Sequence, residues 1–376
     1  MSKPTCRMVV WSCSTHASQI QTGLVLLARQ GLIRLTQEVR PLPRTHRPPA
    51  PHLRDARLSH MLVVINERIR AWFDLHDSFE LDEEALERCD VYFKRSFAVG
   101  AVPARHSGKV WPLGLNYEVY AGGFDGFDAG RRIALARKPT ERLLRMARYT
   151  AAFLARKPIS GRAGLDAQSL CCPPEPEREP RILFMTRVYD PADIKDQPRE
   201  KIEQRIALNE MRVECILRLR KEFGADRFRG GLQHTEYARR QFRHALLEND
   251  GQSRKKQYLS MLRRFPICVA STGLHSSIGW KMGEYVAFSK AIVSEPLRYA
   301  VPGGFREGRN FLSFSSTAEC VEKIGALMDT PSLRTALMEN NWRYYQTWLR
   351  PDLLVRKALH TALSYATGEE LQPAWR

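Results

Sequence analysis

Between Cys268 and Phe314 the sequence sets out residue types that could hold a phosphorylated ligand. The loop Thr272-Gly273-Leu274-His275-Ser276-Ser277-Ile278-Gly279 follows a short apolar run, Ile267-Cys268-Val269-Ala270. A helical pattern begins near Trp280, with Lys281 and Glu284 on its first turns, and a second apolar run, Ala291-Ile292-Val293, closes on Ser294-Glu295-Pro296. Strand, small-residue loop, helix and strand make a βαβ unit whose loop opens at a helix N-terminus. Backbone amides and the positive end of the helix dipole make such a point attractive to a diphosphate.

The residue order here resembles the C-terminal domain of GT-B glycosyltransferases, the group-1-like enzymes that use sugar nucleotides. The resemblance is carried by Lys281, by Glu284-Tyr285-Val286-Ala287, by Lys290-Ala291-Ile292-Val293-Ser294, and by the glycine-bearing loop Pro302 to Asn310 leading into Phe311-Leu312-Ser313-Phe314. It covers about the last half of the chain well and the first half weakly. It implies an α/β, GT-B-like fold, two Rossmann-like domains facing across a cleft. The implied activity is transfer of a sugar from a nucleotide-sugar donor to a hydroxyl acceptor, a glycan or lipid-linked acceptor, in cell-surface polysaccharide or lipopolysaccharide biosynthesis. In that family the counterpart of Glu284 hydrogen-bonds the ribose, a task that suits a carboxylate because it accepts two hydrogen bonds from a vicinal diol. Retaining members usually carry another glutamate eight residues earlier, where this chain has Ser276 beside His275. Retention or inversion is therefore left open.

For the departing diphosphate the candidates are Arg187, Lys281 and the amides that follow Gly273. Arg187 ends the apolar run from Arg181, the edge at which open α/β sheets bind ligands. A guanidinium is always charged and forks onto phosphate oxygens. The family often has Gly-Arg there with a lysine shortly after. Here Thr186 precedes, and Lys195, the nearest lysine, is spaced further away. His275 and Ser276 lie in the loop that would face the transferred sugar, with a capping or packing role equally open. Asn310 either lines the donor pocket or is a turn residue. No D-x-D metal motif is present, so no metal or other cofactor is expected, the nucleotide sugar being a substrate.

On the acceptor side, Phe73-Asp74-Leu75-His76-Asp77-Ser78 places His76 and Asp77 at a strand's C-terminal end. Either could remove the acceptor proton as a general base, or Asp77 could simply cap a turn. Lys94 and Arg95, ending the next strand, could hold an anionic acceptor or form a solvated pair. Thr15-His16 is a similar but weaker case, and the Gly114-Leu115-Asn116-Tyr117 turn reads as structural.

These residues need an alternating strand–helix framework. Strands are expected at Met8–Cys13, Met61–Ile65, Ala71–Leu75, Val91–Lys94 and Lys109–Trp111, with a helix through Leu24–Arg29 and a short one capped by Asp82. Such alternation argues an open parallel sheet. The proline-rich stretch 171–180 can continue neither a helix nor a central strand. It divides an acceptor-side Rossmann-like domain, 1–170, from a nucleotide-sugar-binding domain, 181–345. A helical segment, 346–376, follows and could cross back to the first domain. A long charged helix is expected around Ile202–Phe223, and the loop from Pro41 to Pro51 is read as exposed.

The 376 residues carry a formal net charge of +18 and are 43% hydrophobic, enough for packed cores and a poor match to a disordered chain. Phosphorylated substrates, nucleic acid and anionic lipid surfaces would all suit that charge. No zinc-finger spacing, RNP-like motif or glycine/arginine repeat accompanies it, which argues against nucleic acid. The eight cysteines show no C-x-x-C pair and read as reduced thiols. No apolar run reaches the ~20 residues of a spanning helix. No signal peptide is visible, so the cytoplasm is the default compartment, with peripheral attachment to the inner membrane face as an extension.

From Thr140 to Lys157, Leu143, Ala147, Thr150, Ala151 and Leu154 share one helical face, and Arg142, Arg145, Arg148 and Arg156 share the other. Such a helix either packs on its sheet with a solvated basic face or lies on an anionic membrane. Two rivals to the transferase remain: a sugar-nucleotide epimerase or hydrolase of the same fold, and a non-catalytic glycan- or nucleic-acid-binding scaffold.

Overall fold

A computed structural model of the chain describes residues 3–40, 60–156, 162 and 164–367. The Pro41–Pro51 loop lies outside the described residues, as does Lys157. The chain divides into two compact units, one comprising residues 1–171, 299–304 and 346–376, the other residues 172–298 and 305–345.

The first unit contains β1 (Thr5–Val10), α1 (Ser18–Arg29), β2 (Arg34–Val39), β3 (His60–Ile65), β4 (Ile69–Asp74), α2 (Glu83–Arg88), β5 (Val91–Lys94), β6 (Val110–Pro112), α3 (Gly126–Ala134) and α4 (Pro139–Leu154). Its six strands run in the order β2-β1-β3-β4-β5-β6. All are parallel except β3, which pairs antiparallel with both β1 and β4. β3 and β4 form a hairpin at whose turn Asn66 and Glu67 both take positive φ, 52° and 54°. That is the requirement of a tight hairpin whose twist matches its strands. The parallel sheet expected for this half is thus mixed at one strand.

The second unit contains β7 (Ile182–Thr186), α5 (Arg199–Arg227), β8 (Phe228–Leu232), α6 (Glu236–Gln241), α7 (Lys255–Arg264), β9 (Ile267–Ala270), α8 (Trp280–Ala287), β10 (Ala291–Ser294), β11 (Phe311–Ser313), α9 (Thr317–Asp329) and α10 (Pro331–Tyr344). Its five strands are all parallel, in the order β11-β10-β9-β7-β8. Buried on both faces, β9 and β10 are continuous apolar runs, as parallel strands require. Both units are therefore Rossmann-like α/β structures.

The last helix, α11 (Pro351–Thr367), belongs to the first unit. Leu354, Val355, Ala358 and Ala362 join Met8, Val10, Leu24, Met61, Val63 and Phe73 in one core. Gly23 of α1 permits this approach, because a Cβ there would collide with the Pro351 carbonyl and the Val355 side chain. None of the eight cysteines is in a disulfide. Among the described residues no helix is long and apolar enough to cross a membrane.

Candidate functional site

The carboxyl ends of β7 and β9 are tied together by one buried arginine, and that of β10 joins them through Thr272. Arg212, on α5, donates Nη1 to the Arg187 carbonyl at 2.6 Å, Nη2 to the Thr272 carbonyl at 2.7 Å and Nε to Ser271 Oγ at 3.0 Å. Thr272 in turn donates its amide and hydroxyl to Glu295 Oε2, at 2.7 and 3.1 Å. The fork geometry of a guanidinium is what allows one side chain to fix two loops. Arg187 itself is exposed at the end of β7, its guanidinium 4.9 Å from the centre of the Tyr189 ring. Arg205 and Arg212 face the same ring, at 5.7 and 5.5 Å. Asn209 holds the Tyr189 backbone through both its amide and its carbonyl. The result is a concentration of positive charge around one aromatic ring at the carboxyl edge of the sheet.

Beside it, α8 carries Lys281 and Glu284, and α7 carries Lys255 and Tyr258. Glu284 is buried and accepts Lys255 Nζ on Oε1. The Lys281 ammonium stands 3.9 Å over the Tyr258 ring. Burial lowers the Lys281 pKa to about 8, opposed by Glu284 and reinforced by Lys255 and Arg212. The buried Tyr258 hydroxyl lies against Glu284 and Tyr285. It lies in the field of Glu284, and burial together with that charge drives its pKa well above the ordinary value.

The loop between β9 and α8 is strained. His275 and Ser276 sit successively in the left-handed region, with φ of 60° and 54°. Each such non-glycine residue costs on the order of 1–3 kcal/mol and persists only where its surroundings hold it. The Gly273 amide on the Ser277 carbonyl at 2.8 Å closes the loop, and no side chain caps the first turn of α8. His275 is exposed, and its amide faces Gln204 Oε1 at 3.4 Å.

Two residues assigned to the donor side stand differently. Asn310 is fully buried in a turn: its Nδ2 donates to Asn341 Oδ1 at 3.0 Å and its Oδ1 accepts the Arg306 amide at 3.2 Å. It locks the entry to β11. Lys195 is exposed just after a short 3₁₀ turn, Pro191–Ile194, with its amide closing that turn on the Ala192 carbonyl. It joins neither the Arg187 group nor the Lys281 group.

In the first unit, the segments following β1, β4 and β5 bring His16, His76, Asp77 and Arg95 together. Arg95 is buried and forms an ion pair with Asp77 Oδ1. Burial would raise the Asp77 pKa, but Arg95, His16 and His76 hold it below the ordinary carboxylate value. His76 is half-buried, and burial lowers its pKa, so it is neutral at pH 7. Its Nδ1 accepts the Ser78 amide at 3.3 Å, which places the proton of the neutral ring on Nε2. His76 is therefore a donor at Nε2, and Asp77 is the better placed proton acceptor of the two.

Lys94, expected to hold an acceptor, is instead buried against Asp74 at 2.7 Å, both side chains 1% exposed. Asp74 also takes the Tyr92 hydroxyl and pairs with His60 Nε2 at 3.2 Å. Burial would depress the His60 pKa, but Asp74 and Asp82 hold it at about 9. Lys94 is thus a structural counter-ion, a role its exposed-looking sequence neighbourhood, Lys94-Arg95-Ser96, does not reveal. A pocket of about 240 Å³, lined by Trp11, Trp72, Arg40, Arg88, Asp82 and His60 among others, opens on the face of the sheet beside this network. His76, Asp77, Lys94 and Arg95 do not line it.

Lys255, Tyr258, Arg212 and Tyr189 were not legible as site residues. Lys255 sits in the charge run Arg254-Lys255-Lys256, and Arg212 in a helix crowded with solvated charges.

No protein-family model and no curated protein matches the sequence. Among solved structures, the chain is similar to the C-terminal domain of LpcC, a glycosyl transferase group 1 family protein from Francisella tularensis. That likeness has 14% identity and a TM-score of 0.32, over 48% of this chain and 96% of that one. A structure of TarM from S. aureus with UDP is 13% identical at a TM-score of 0.33, over 50% of this chain and 37% of TarM, so the match spans little more than a third of TarM's length. An alpha1,3-fucosyltransferase is 10% identical at a TM-score of 0.39, over 96% of this chain and 90% of that one. Likeness at this level identifies neither a family nor a chemistry.

Proposed function

We propose that the protein is a glycosyltransferase that takes a sugar from a nucleotide-sugar donor and delivers it to a glycan hydroxyl. The observation that carries this reading is the cluster at the carboxyl edge of the second unit's sheet. There an exposed Arg187, a Lys281 with a pKa of about 8, a buried Glu284 and the buried Tyr258 beside it stand around loops fixed by Arg212. Loss of a nucleoside diphosphate concentrates negative charge on the leaving group. Preorganised cations there stabilise that charge without reorganising, the largest single contribution in most such sites. Arg187 and Lys281 supply the cations, and the uncapped first turn of α8 adds its dipole. Glu284 has Oε1 on Lys255 and offers Oε2 to a ribose diol. In the first unit, Asp77, held at Oδ1 by Arg95, is the candidate group to receive an acceptor proton. The scheme calls on no metal, because fixed cations do the neutralising.

A thermal-shift screen of the purified chain against nucleotide sugars and free nucleoside diphosphates tests the reading, with Glu284→Ala and Arg187→Ala alongside. A ligand present at ~100 times its dissociation constant adds about 2.7 kcal/mol to the stability of the state that binds it. The expected result is stabilisation by one nucleotide, reduced in both variants. No response to any nucleotide would move the protein to the non-catalytic scaffold reading, and release of the free sugar or its epimer without transfer would move it to the hydrolase or epimerase.

A further inference from the structure

Five of the eleven large exposed apolar side chains among the described residues lie on one helix, α4: Leu143 (65%), Leu144 (72%), Met146 (46%), Phe153 (59%) and Leu154 (75%). The helix is docked on the first unit by one side only. Tyr149 is its buried residue, packed with Ala129 of α3, and Phe153 meets Phe124 edge-on at 5.2 Å. Arg145 reaches the Arg132 carbonyl and Glu141. At 3.6 residues per turn, Leu143, Ala147, Thr150 and Leu154 fall opposite the half-buried Arg145 and Ala152. The apolar face is turned outward, and of the arginines only Arg145 lies on the side nearer the protein.

Arg142 and Arg148, both exposed, leave the helix on either flank of that apolar strip, about 100° to one side and about 140° to the other. Arg137, Lys138 and Arg156 are exposed at its ends. The helix's single acid, Glu141, is already paired with Arg145. The apolar strip from Leu143 to Leu154, about 17 Å long and flanked by one exposed arginine on each side, has the cross-section of a helix lying in a lipid interface, the arginine stems reaching back to the headgroups.

We propose that α4 seats the protein on an anionic bilayer surface, with Leu143, Leu154 and their neighbours entering the acyl boundary and Arg142 and Arg148 on acidic headgroups. Charge decides between lipid and a second copy of the chain. Two copies meeting through this helix would bring arginines against arginines on chains that each carry +18. Nucleic acid would satisfy the arginines and leave the apolar strip in water. The inference stands on the helix alone and does not rest on the transfer reaction.

The test is cosedimentation of the full chain with vesicles of equal parts phosphatidylglycerol and phosphatidylcholine, and with phosphatidylcholine vesicles alone. The expected result is partitioning into the anionic vesicles only, weakened by added salt. Leu143→Ser with Leu154→Ser should lower the partition coefficient more than about tenfold, and Arg142→Gln or Arg148→Gln about fivefold each. All four side chains are exposed, so the melting temperature should not move, and an unchanged melt separates lost binding from lost fold. Absence of partitioning, or partitioning indifferent to these substitutions, would overturn the proposal. So would a concentration-dependent dimer in sedimentation velocity that the double leucine variant abolishes, which would give the face to a second copy.

Discussion

Replacing Lys94 by methionine tests whether that lysine is a buried counter-ion or a ligand contact. Asp74 and Lys94 are each 1% exposed and 2.7 Å apart. Removing one partner of a buried pair leaves an uncompensated charge and costs about 3–5 kcal/mol. Here the loss should sit near the lower end at neutral pH. His60, with its pKa held at about 9, is protonated there and lies 3.2 Å from Asp74. The Tyr92 hydroxyl and the His76 amide also still serve the carboxylate. As pH rises through about 9 and His60 loses its proton, the cost should climb toward the upper end. Asp74→Asn combined with Lys94→Met removes both charges and should recover more than half of the loss. Urea unfolding followed by tryptophan fluorescence is a suitable assay, since Trp11, Trp72 and Trp111 all belong to this unit. A single Lys94→Met variant that loses less than about 1 kcal/mol, or a double variant no better than the single, would refute the reasoning and return Lys94 to the acceptor side.

His60 makes a second prediction. Its folded pKa of about 9 exceeds the ordinary 6.5, so its stabilising contribution is complete below pH 6.5 and is lost as pH rises through about 9. The loss amounts to about 3 kcal/mol, and His60→Gln should flatten that slope in urea titrations run across the same range. Lys281 is the converse case, with a pKa lowered to about 8. A bound diphosphate would raise it, so nucleotide affinity should be full below pH 8 and decline above it, and Lys281→Met should abolish the decline; calorimetric titrations at several pH values read this directly. Gly23→Ala should destabilise the first unit by about 1–3 kcal/mol through collision with Pro351 and Val355, seen as a lower melting temperature.

Much of the framework was legible because the physics is local. The strands β7, β9 and β10 announce themselves as apolar runs, since parallel strands are buried on both faces. Asp82 accepts the Ala85 amide at 3.0 Å, the cap its position implied. Other elements were masked by composition. β8 reads Phe228-Arg229-Gly230-Gly231-Leu232, and glycine weighs against a strand. Here Gly230 is required, because a Cβ would collide with the Phe184 carbonyl of the neighbouring strand. β2, Arg34–Val39, is polar and sits at the sheet edge. β3 joins β4 in a hairpin through Asn66-Glu67, which lacks the glycine that marks most such turns.

The site was less legible than the fold, for a different reason. Glu284, Lys281 and Arg187 occupy positions a sequence pattern can mark. Burial of a charge is set by tertiary packing, which a pattern does not carry. Lys94 and Arg212 look like surface cations and are among the most buried charged groups in their units, while Leu143 and Leu154 look like core residues and are exposed.

The most direct test of the donor site is hydrogen–deuterium exchange of the full chain with and without a stabilising nucleoside diphosphate. The account predicts slowed exchange in the loop and first turns at 271–284 and at 187–190 after β7, with Asn310 and its turn unchanged. Protection confined to the first unit, or to none of these segments while the nucleotide is demonstrably bound, would contradict it.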